Sequence, residues 1–156
     1  MSYALRRATL GDAALLAAHR ACVWHEIGGW DEAPLTAQIP IWTAWFRDAL
    51  DAQTYISFVA EEGGAAIASG SLLIQIAIPR PGFHSDREGR VQSVYVVPAA
   101  RRRGIAHALM AAILEHARRV MLIRLSLHPS DEARGLYESL GFVALDEMGL
   151  RLTGES

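Results

Sequence analysis

VQSVYVVPAARRRGIAHALM, residues 91–110, runs from an alternating apolar stretch through Pro98 into three consecutive arginines, and at once into a helical apolar pattern. The first half predicts a strand over 91–97. In the second half Ile105, Leu109, Ala112 or Ile113, and His116 or Ala117 recur at helical spacing, so a helix begins directly after the arginines. Such a joint leaves the first N–H groups of the helix unpaired at the carboxyl end of the strand, and the macrodipole adds to their attraction for negative charge. Gly104 leaves the main chain open to an approaching anion, and Ala106 keeps the next turn nearly as open. Arg101, Arg102 and Arg103 supply donors that match phosphate oxygens. On these residues alone, a phosphate-bearing ligand and a plain solvated basic helix start are equally open. Neither G-x-x-x-x-G-K-[ST] nor G-x-G-x-x-G is present to identify a nucleotide.

Working outward, residues 3–8 (YALRRA) predict a short first strand, and Thr9 with Asp12 marks a helix start. Leu10, Ala14, Ala17, Ala21 and Trp24 give that helix an apolar stripe, ending near Gly28 and Gly29. From 30 to 52, Trp30, Trp42, Trp45 and Phe46 crowd a stretch interrupted by Pro34 and Pro40, with a helix expected over 41–51. YISFVAEE (55–62) and AAIASGSLLIQIAI (65–78), joined by Gly63 and Gly64, predict an antiparallel hairpin, and 79–90 a polar loop. Beyond the basic helix come a strand at 121–127, a helix at 131–140 and a last strand near 142–152. This order predicts an α/β (α+β) fold, one domain over 1–156 with a mixed central sheet of about six strands.

The bulk numbers fit that reading. A chain of 156 residues holds one core and is short for two. With a net charge of -2 and a pI near 6.3 it has no overall field to draw nucleic acid or an anionic membrane, and neither is expected as a partner. Any positive site is local. Nothing reads as a signal peptide or membrane span, so the cytoplasm is the expected compartment. The lone Cys22 excludes an internal disulfide and reads as an inert buried thiol. His25-Glu26 lacks the second histidine of a metalloprotease helix, so no metal is assigned.

SDEARGLYESLGF, residues 130–142, is the second informative stretch. Ser130 suits an N-cap, Asp131 and Glu132 the first turn, and Gly141 the helix stop. Ala133, Leu136 and Leu140 form its core stripe, with Tyr137 beside it. Taken together, VYVVP, the R-x-x-G-x-A pattern at Arg101, Gly104 and Ala106, and SDEARGLYESLGF resemble the GCN5-related N-acetyltransferase (GNAT) superfamily. The match covers about 55–150 in element order, and the first 50 residues only as the expected strand and two helices. The family more often has Gly at the position of Ala106, and many members have asparagine at that of Ser130.

The resemblance implies helices on both faces of the sheet and splayed central strands. Main-chain groups of Val94, Tyr95 and Val96 would hold the pantetheine arm of acetyl-CoA, the co-substrate, and the amides of Arg101, Arg102, Arg103, Gly104, Ile105 and Ala106 its pyrophosphate. Ser130 would make a shorter cofactor contact than asparagine. Tyr137 would be the general acid that protonates the departing thiolate. A phenol near pKa ~10 and a thiol near ~8.5 make complete transfer uphill by roughly 2 kcal/mol, which a strong hydrogen bond or a lowered phenol pKa would offset.

The implied activity is direct acetyl transfer to a primary amine of a small molecule or peptide; the alternative is a non-catalytic acyl-CoA sensor or regulatory protein of the same fold. The main-chain N–H of Val96 would stabilise the oxyanion. Gln92 stands where several relatives place a glutamate and cannot act as a base. His25, Glu26, His84, Glu88, His128 and a water chain all stay open for that role. In relatives the acceptor groove is lined by segments equivalent to 24–46 and 79–90. There Trp24, Glu26 and Trp30, with Trp42, Trp45, Asp31 and Glu32 nearby, would suit a cationic amine with an apolar body. A homodimer is compatible with the resemblance.

Overall fold

In the computed structural model, which describes residues 2–154, five strands form one sheet. They are β1 (Ala4–Arg7), β2 (Tyr55–Glu62), β3 (Ala65–Ile76), β4 (Arg87–Val96) and β5 (Leu125–Ser126), side by side in that order. The first four are antiparallel neighbours and β4 with β5 is parallel, so the sheet is mixed. The helices are α1 (Ala13–Glu26), α2 (Glu32–Asp51), α3 (Ile105–Arg119) and α4 (Arg134–Ser139).

The two-residue period of the strands sorts their side chains into two cores. On one face Ile56, Leu72 and Val91 pack with Met110 and Ile113 of α3 and Tyr137 of α4. On the other, Tyr55 packs with Ala13, Leu16 and Ala17 of α1 and Phe46 and Ala49 of α2. Helices therefore cover both faces, as expected. Gly63 (φ 59°) and Gly64 (φ 80°) make the hairpin turn in the left-handed region that glycine tolerates.

The start of α1 is held by Asp12, which accepts the Thr9 amide at 2.7 Å and two Arg6 nitrogens at 2.7 and 2.8 Å. A single 3-10 turn over Leu10–Asp12 precedes the helix and, at three residues per turn, rotates its buried face. Ala13, Leu16, Ala17 and His19 are buried, whereas Leu10 and Ala14 of the expected stripe are exposed. Nor does α2 begin at 41. It runs unbroken through Pro40, because Pro40 and Thr36, whose carbonyl loses its donor there, both face solvent and water can replace the missing bond.

At the other end, the strand expected near 142–152 does not form. With β5 only two residues long there is little edge to pair with, and Val143 and Leu150 stand 75% and 84% exposed. The loop before β4 is also shorter than expected, because β4 already begins at Arg87. Gly89 is what brings β4 and β5 together: a Cβ there would lie 2.6 Å from Leu125 Cδ2 and from Leu72 Cδ1, and 2.9 Å from Leu122 Cδ1.

Candidate active site

β5 pairs with β4 only at Gly89 and Arg90, and the Ile123 amide reaches the Arg87 carbonyl just before them, so among the described residues no strand pairs with β4 beyond Arg90 on that side. Opposite β3, the register slips between Ser69 and Ser71: Tyr95 faces Ser69 and Gln92 faces Ser71, so Ser93 and Val94 together stand across from Gly70. This is a β-bulge, and Ser93 adopts a left-handed φ of 50° within it. Beyond it, the Val97 amide donates to the Ile67 carbonyl at 2.9 Å. That bond fixes the alternation along the strand. The N–H and C=O of Val96, and of Val94 two residues back, turn away from β3 into the open side. Those of Tyr95 turn to Ser69 instead, so of the three residues expected to offer main-chain groups Val94 and Val96 face the open side.

The strand ends in a 3-10 turn at Pro98–Ala100, and the arginines follow. Arg102 (φ 63°) and Gly104 (φ 76°) both adopt left-handed conformations, folding the loop back over the start of α3. At Gly104 a Cβ would meet nothing within 4 Å, so glycine serves there for its backbone freedom and for the open space above it. The first intrahelical bond is Ala108 to the Gly104 carbonyl, which leaves the amides of Ile105, Ala106 and His107 without helical partners. The Ile105 side chain itself is core.

Two of the three arginines are turned to carboxylates. Arg101 donates to Glu26 Oε2 at 2.6 Å and to the Val96 carbonyl at 2.9 Å, and Arg103 pairs with Glu62. Arg102 is exposed. The charge at the joint thus belongs partly to the architecture, bracing β4, α1 and β2 around the free amides. Glu26, expected to line an acceptor groove, is held by this contact, and its other oxygen accepts the Tyr95 hydroxyl at 3.3 Å. Burial, with Cys22 and Glu26 close by, pushes the Tyr95 phenol upward.

Tyr137 is the buried residue of α4 and belongs to the core of that face rather than standing beside it. Its ring meets Phe142 edge-on at 5.8 Å, and burial raises its pKa. No protein group bonds its hydroxyl, and among the described residues no buried side-chain polar atom lacks a partner, so the hydroxyl reaches an accessible cavity. Arg90, Ser126 and His128 line the same cavity. Ser130 is engaged locally, its hydroxyl accepting the Ala133 amide at 3.2 Å in the turn before α4, whose N-cap position is Ala133 rather than Ser130.

The bases considered from sequence are scattered. His25 Nδ1 lies 2.7 Å from the Trp30 carbonyl, Glu88 pairs with Arg124 at 3.0 Å, and His84 and His128 are exposed. The tryptophans do gather: Trp24 packs against Trp30 at 5.4 Å and Trp42 at 6.2 Å, while Trp45 meets Tyr55 edge-on at 5.7 Å. Two groups between α1 and the bulge escaped the sequence reading. His19 is buried, its Nδ1 2.7 Å from Ser69 Oγ and its ring 5.0 Å from Tyr95, and burial lowers its pKa. Arg20 reaches Ser93 Oγ at 3.0 Å. The available signal was its place four residues before Trp24 on an alanine-rich helix.

Residues 18–142 match the family model described as Acetyltransferase (GNAT) family. Glucosamine 6-phosphate N-acetyltransferase 1 of Oryza sativa subsp. japonica is 31% identical over 99 residues, which are 62% of this chain and 58% of that relative. The match thus spans little more than half of the relative's length. Among solved structures, a GCN5-related N-acetyltransferase from Ralstonia eutropha JMP134 is similar with a TM-score of 0.88 at 28% identity, over 98% of this chain and 100% of that one. A Clostridium acetobutylicum protein, described as a predicted acetyltransferase with acetyl-CoA, has a TM-score of 0.86 at 23% identity, over 97% and 96%.

Proposed function

The chain belongs to the acetyltransferase (GNAT) family, and from that premise we propose that it transfers an acetyl group from acetyl-CoA directly to the primary amine of a small molecule or peptide. The observation that carries this is the pairing of two unoccupied sets of main-chain donors. One is the outward edge of Val94 and Val96, the other the free amides of Ile105, Ala106 and His107 at the start of α3. The first set suits an extended amide-bearing arm and the second a pyrophosphate. Gly104, with open space where a Cβ would be, lets phosphate oxygens approach the loop. Acetyl-CoA has both parts, and the family uses it.

In this reading the Val96 N–H, held outward by the register, donates to the thioester carbonyl oxygen as negative charge grows there. Tyr137 donates its proton toward the departing sulfur. Because burial raises its pKa, it stays protonated through neutral and mildly alkaline pH, which an acid requires. Full transfer to a thiolate is then uphill by more than the roughly 2 kcal/mol of an unperturbed pair, so its contribution is a hydrogen bond that strengthens as the thiolate forms. Glu26 and Glu88 are each tied to an arginine, so the amine proton leaves by water rather than to either carboxylate.

The test is thiol release from acetyl-CoA in the presence of pooled amino sugars and their phosphates, aminoglycosides, polyamines, amino acids and peptides. Glucosamine 6-phosphate, the acceptor named for the rice relative, heads the panel. Acceptor-dependent thiol release with an acetylated product supports the proposal. Tight acetyl-CoA binding with no product across the panel would instead favour a sensor of the same fold.

A further inference from the structure

Between α1, α2 and β4 lies a cavity of about 370 Å³, lined by Trp42, Trp45 and Phe46 among apolar residues and by Arg20, Gln38 and Gln92 among polar ones. Its size is that of a small-molecule site. Arg20 is the unusual member. Its guanidinium carbon lies 5.5 Å from the Trp24 ring and 5.2 Å from the Trp42 ring, and one nitrogen donates to Ser93 Oγ at 3.0 Å. Arg6, Arg101, Arg103 and Arg124 each pair with a carboxylate, but among the described residues no carboxylate pairs with Arg20. Burial lowers its pKa, and the buried Tyr55 opposes that shift. A guanidinium has five N–H donors, and a cation held among aromatic rings without a counter-ion is incompletely compensated. An anion entering the cavity would complete that compensation.

We propose that Arg20 seats the anionic group of the acceptor, so that the transferase acts on a primary amine that also carries a carboxylate or phosphate and presents a flat apolar face to Trp42 and Trp45. The inference rests on the acetyl-transfer reading and adds an anionic group to the apolar-bodied amine expected from the residues near Trp24. Ser93, which Arg20 touches, is three residues from Val96, about 10 Å along a strand. An acceptor whose amine and anion lie no further apart than that can reach both the reacting carbonyl and the guanidinium.

The experiment compares KM for glucosamine 6-phosphate against glucosamine and for phenylalanine against phenylalaninamide. In the wild type, the charged member of at least one pair has a KM ten-fold or more below its neutral partner, and the pair that shows it identifies phosphate or carboxylate. Arg20→Met removes the difference, Arg20→Lys keeps part of it, and the KM for acetyl-CoA stays unchanged in both. Equal KM within both pairs, or a charge preference that survives Arg20→Met, overturns the proposal. A second measurement needs neither amine nor acetyl-CoA: quenching of tryptophan fluorescence by 3-phenylpropionate against 3-phenylpropionamide, and by glucose 6-phosphate against glucose. Should no amine be acetylated, a ten-fold anion preference in the wild-type protein still establishes the seat while acetyl transfer fails, and no preference refutes the seat itself.

Discussion

Replacing Tyr137 by Phe removes one oxygen and nothing else from the core. The ring fills the space against Phe142, and its hydroxyl bonds no protein group, so the change leaves no orphaned donor or acceptor. Stability at pH 7 should therefore move by less than about 0.5 kcal/mol. A general acid contributes about 10²–10⁴-fold, and because burial makes this phenol a weaker acid than an unperturbed one, the loss in kcat belongs near the lower end, about 10²-fold. The KM for acetyl-CoA should stay within about two-fold, because in the proposed function main-chain groups hold the arm and pyrophosphate. The pH dependence gives an independent check. A folded-state phenol pKa raised above 10.0 contributes stability that is present below pH 10 and lost as the pH rises through the raised value. Tyr137→Phe should thus be more resistant to alkaline unfolding than the wild type. The assay is steady-state thiol release alongside urea melts at pH 7 and pH 11. A variant that keeps full kcat on the true acceptor, or loses activity only through acetyl-CoA affinity, would refute Tyr137 as the acid.

Other substitutions probe the surrounding frame. Gly89→Ala drives a methyl against Leu125, Leu72 and Leu122 and should cost about 1–3 kcal/mol in chemical denaturation. Gly104→Ala meets no atom but must hold a φ of 76°; it should cost about 1 kcal/mol and weaken acetyl-CoA binding measured by calorimetry. Glu26→Gln loosens the Arg101 loop, so it should raise the Kd for acetyl-CoA several-fold and leave the acceptor KM unchanged. Arg6 holds the Asp12 carboxyl below its usual 3.8, so this pair stabilises the fold above that pH and the contribution fades as pH falls through the lowered value. Acid titrations of Asp12→Asn should lack that part of the transition.

The elements legible in sequence were those decided by their own residues. Ile105, Leu109 and Ile113 recur at helical spacing and are buried in α3, and Gly63-Gly64 makes the turn that its composition announces. What escaped depended on tertiary surroundings. Pro40 looks like a helix breaker unless Thr36 is known to face water. The apolar residues between 142 and 152 read as a strand, but a strand needs an edge, and β5 offers two residues. Within the candidate site, the amides of the arginine loop were legible from Gly104 and the helix that follows. The engagement of Arg101 and Arg103 was not, because Glu26 and Glu62 come from distant parts of the chain. Arg20 was hidden for the same reason: its meaning comes from Trp42 and Ser93, brought in by α2 and β4.

The bulge at Ser93 makes β4 two half-strands spliced out of phase. Before it, odd-numbered Val91 faces α3; after it, even-numbered Val94 and Val96 do, while Tyr95 faces α1. Deleting Ser93 would restore an uninterrupted ladder across β3. It would also move the outward amides by a residue step and cut the one anchor that ties Arg20 to the strand. Regularity of the sheet and alignment of the two proposed half-sites, one for the acyl donor and one for its acceptor, therefore compete for the same residue. A screen for stabler variants that found changes at Ser93 would be selecting against the chemistry.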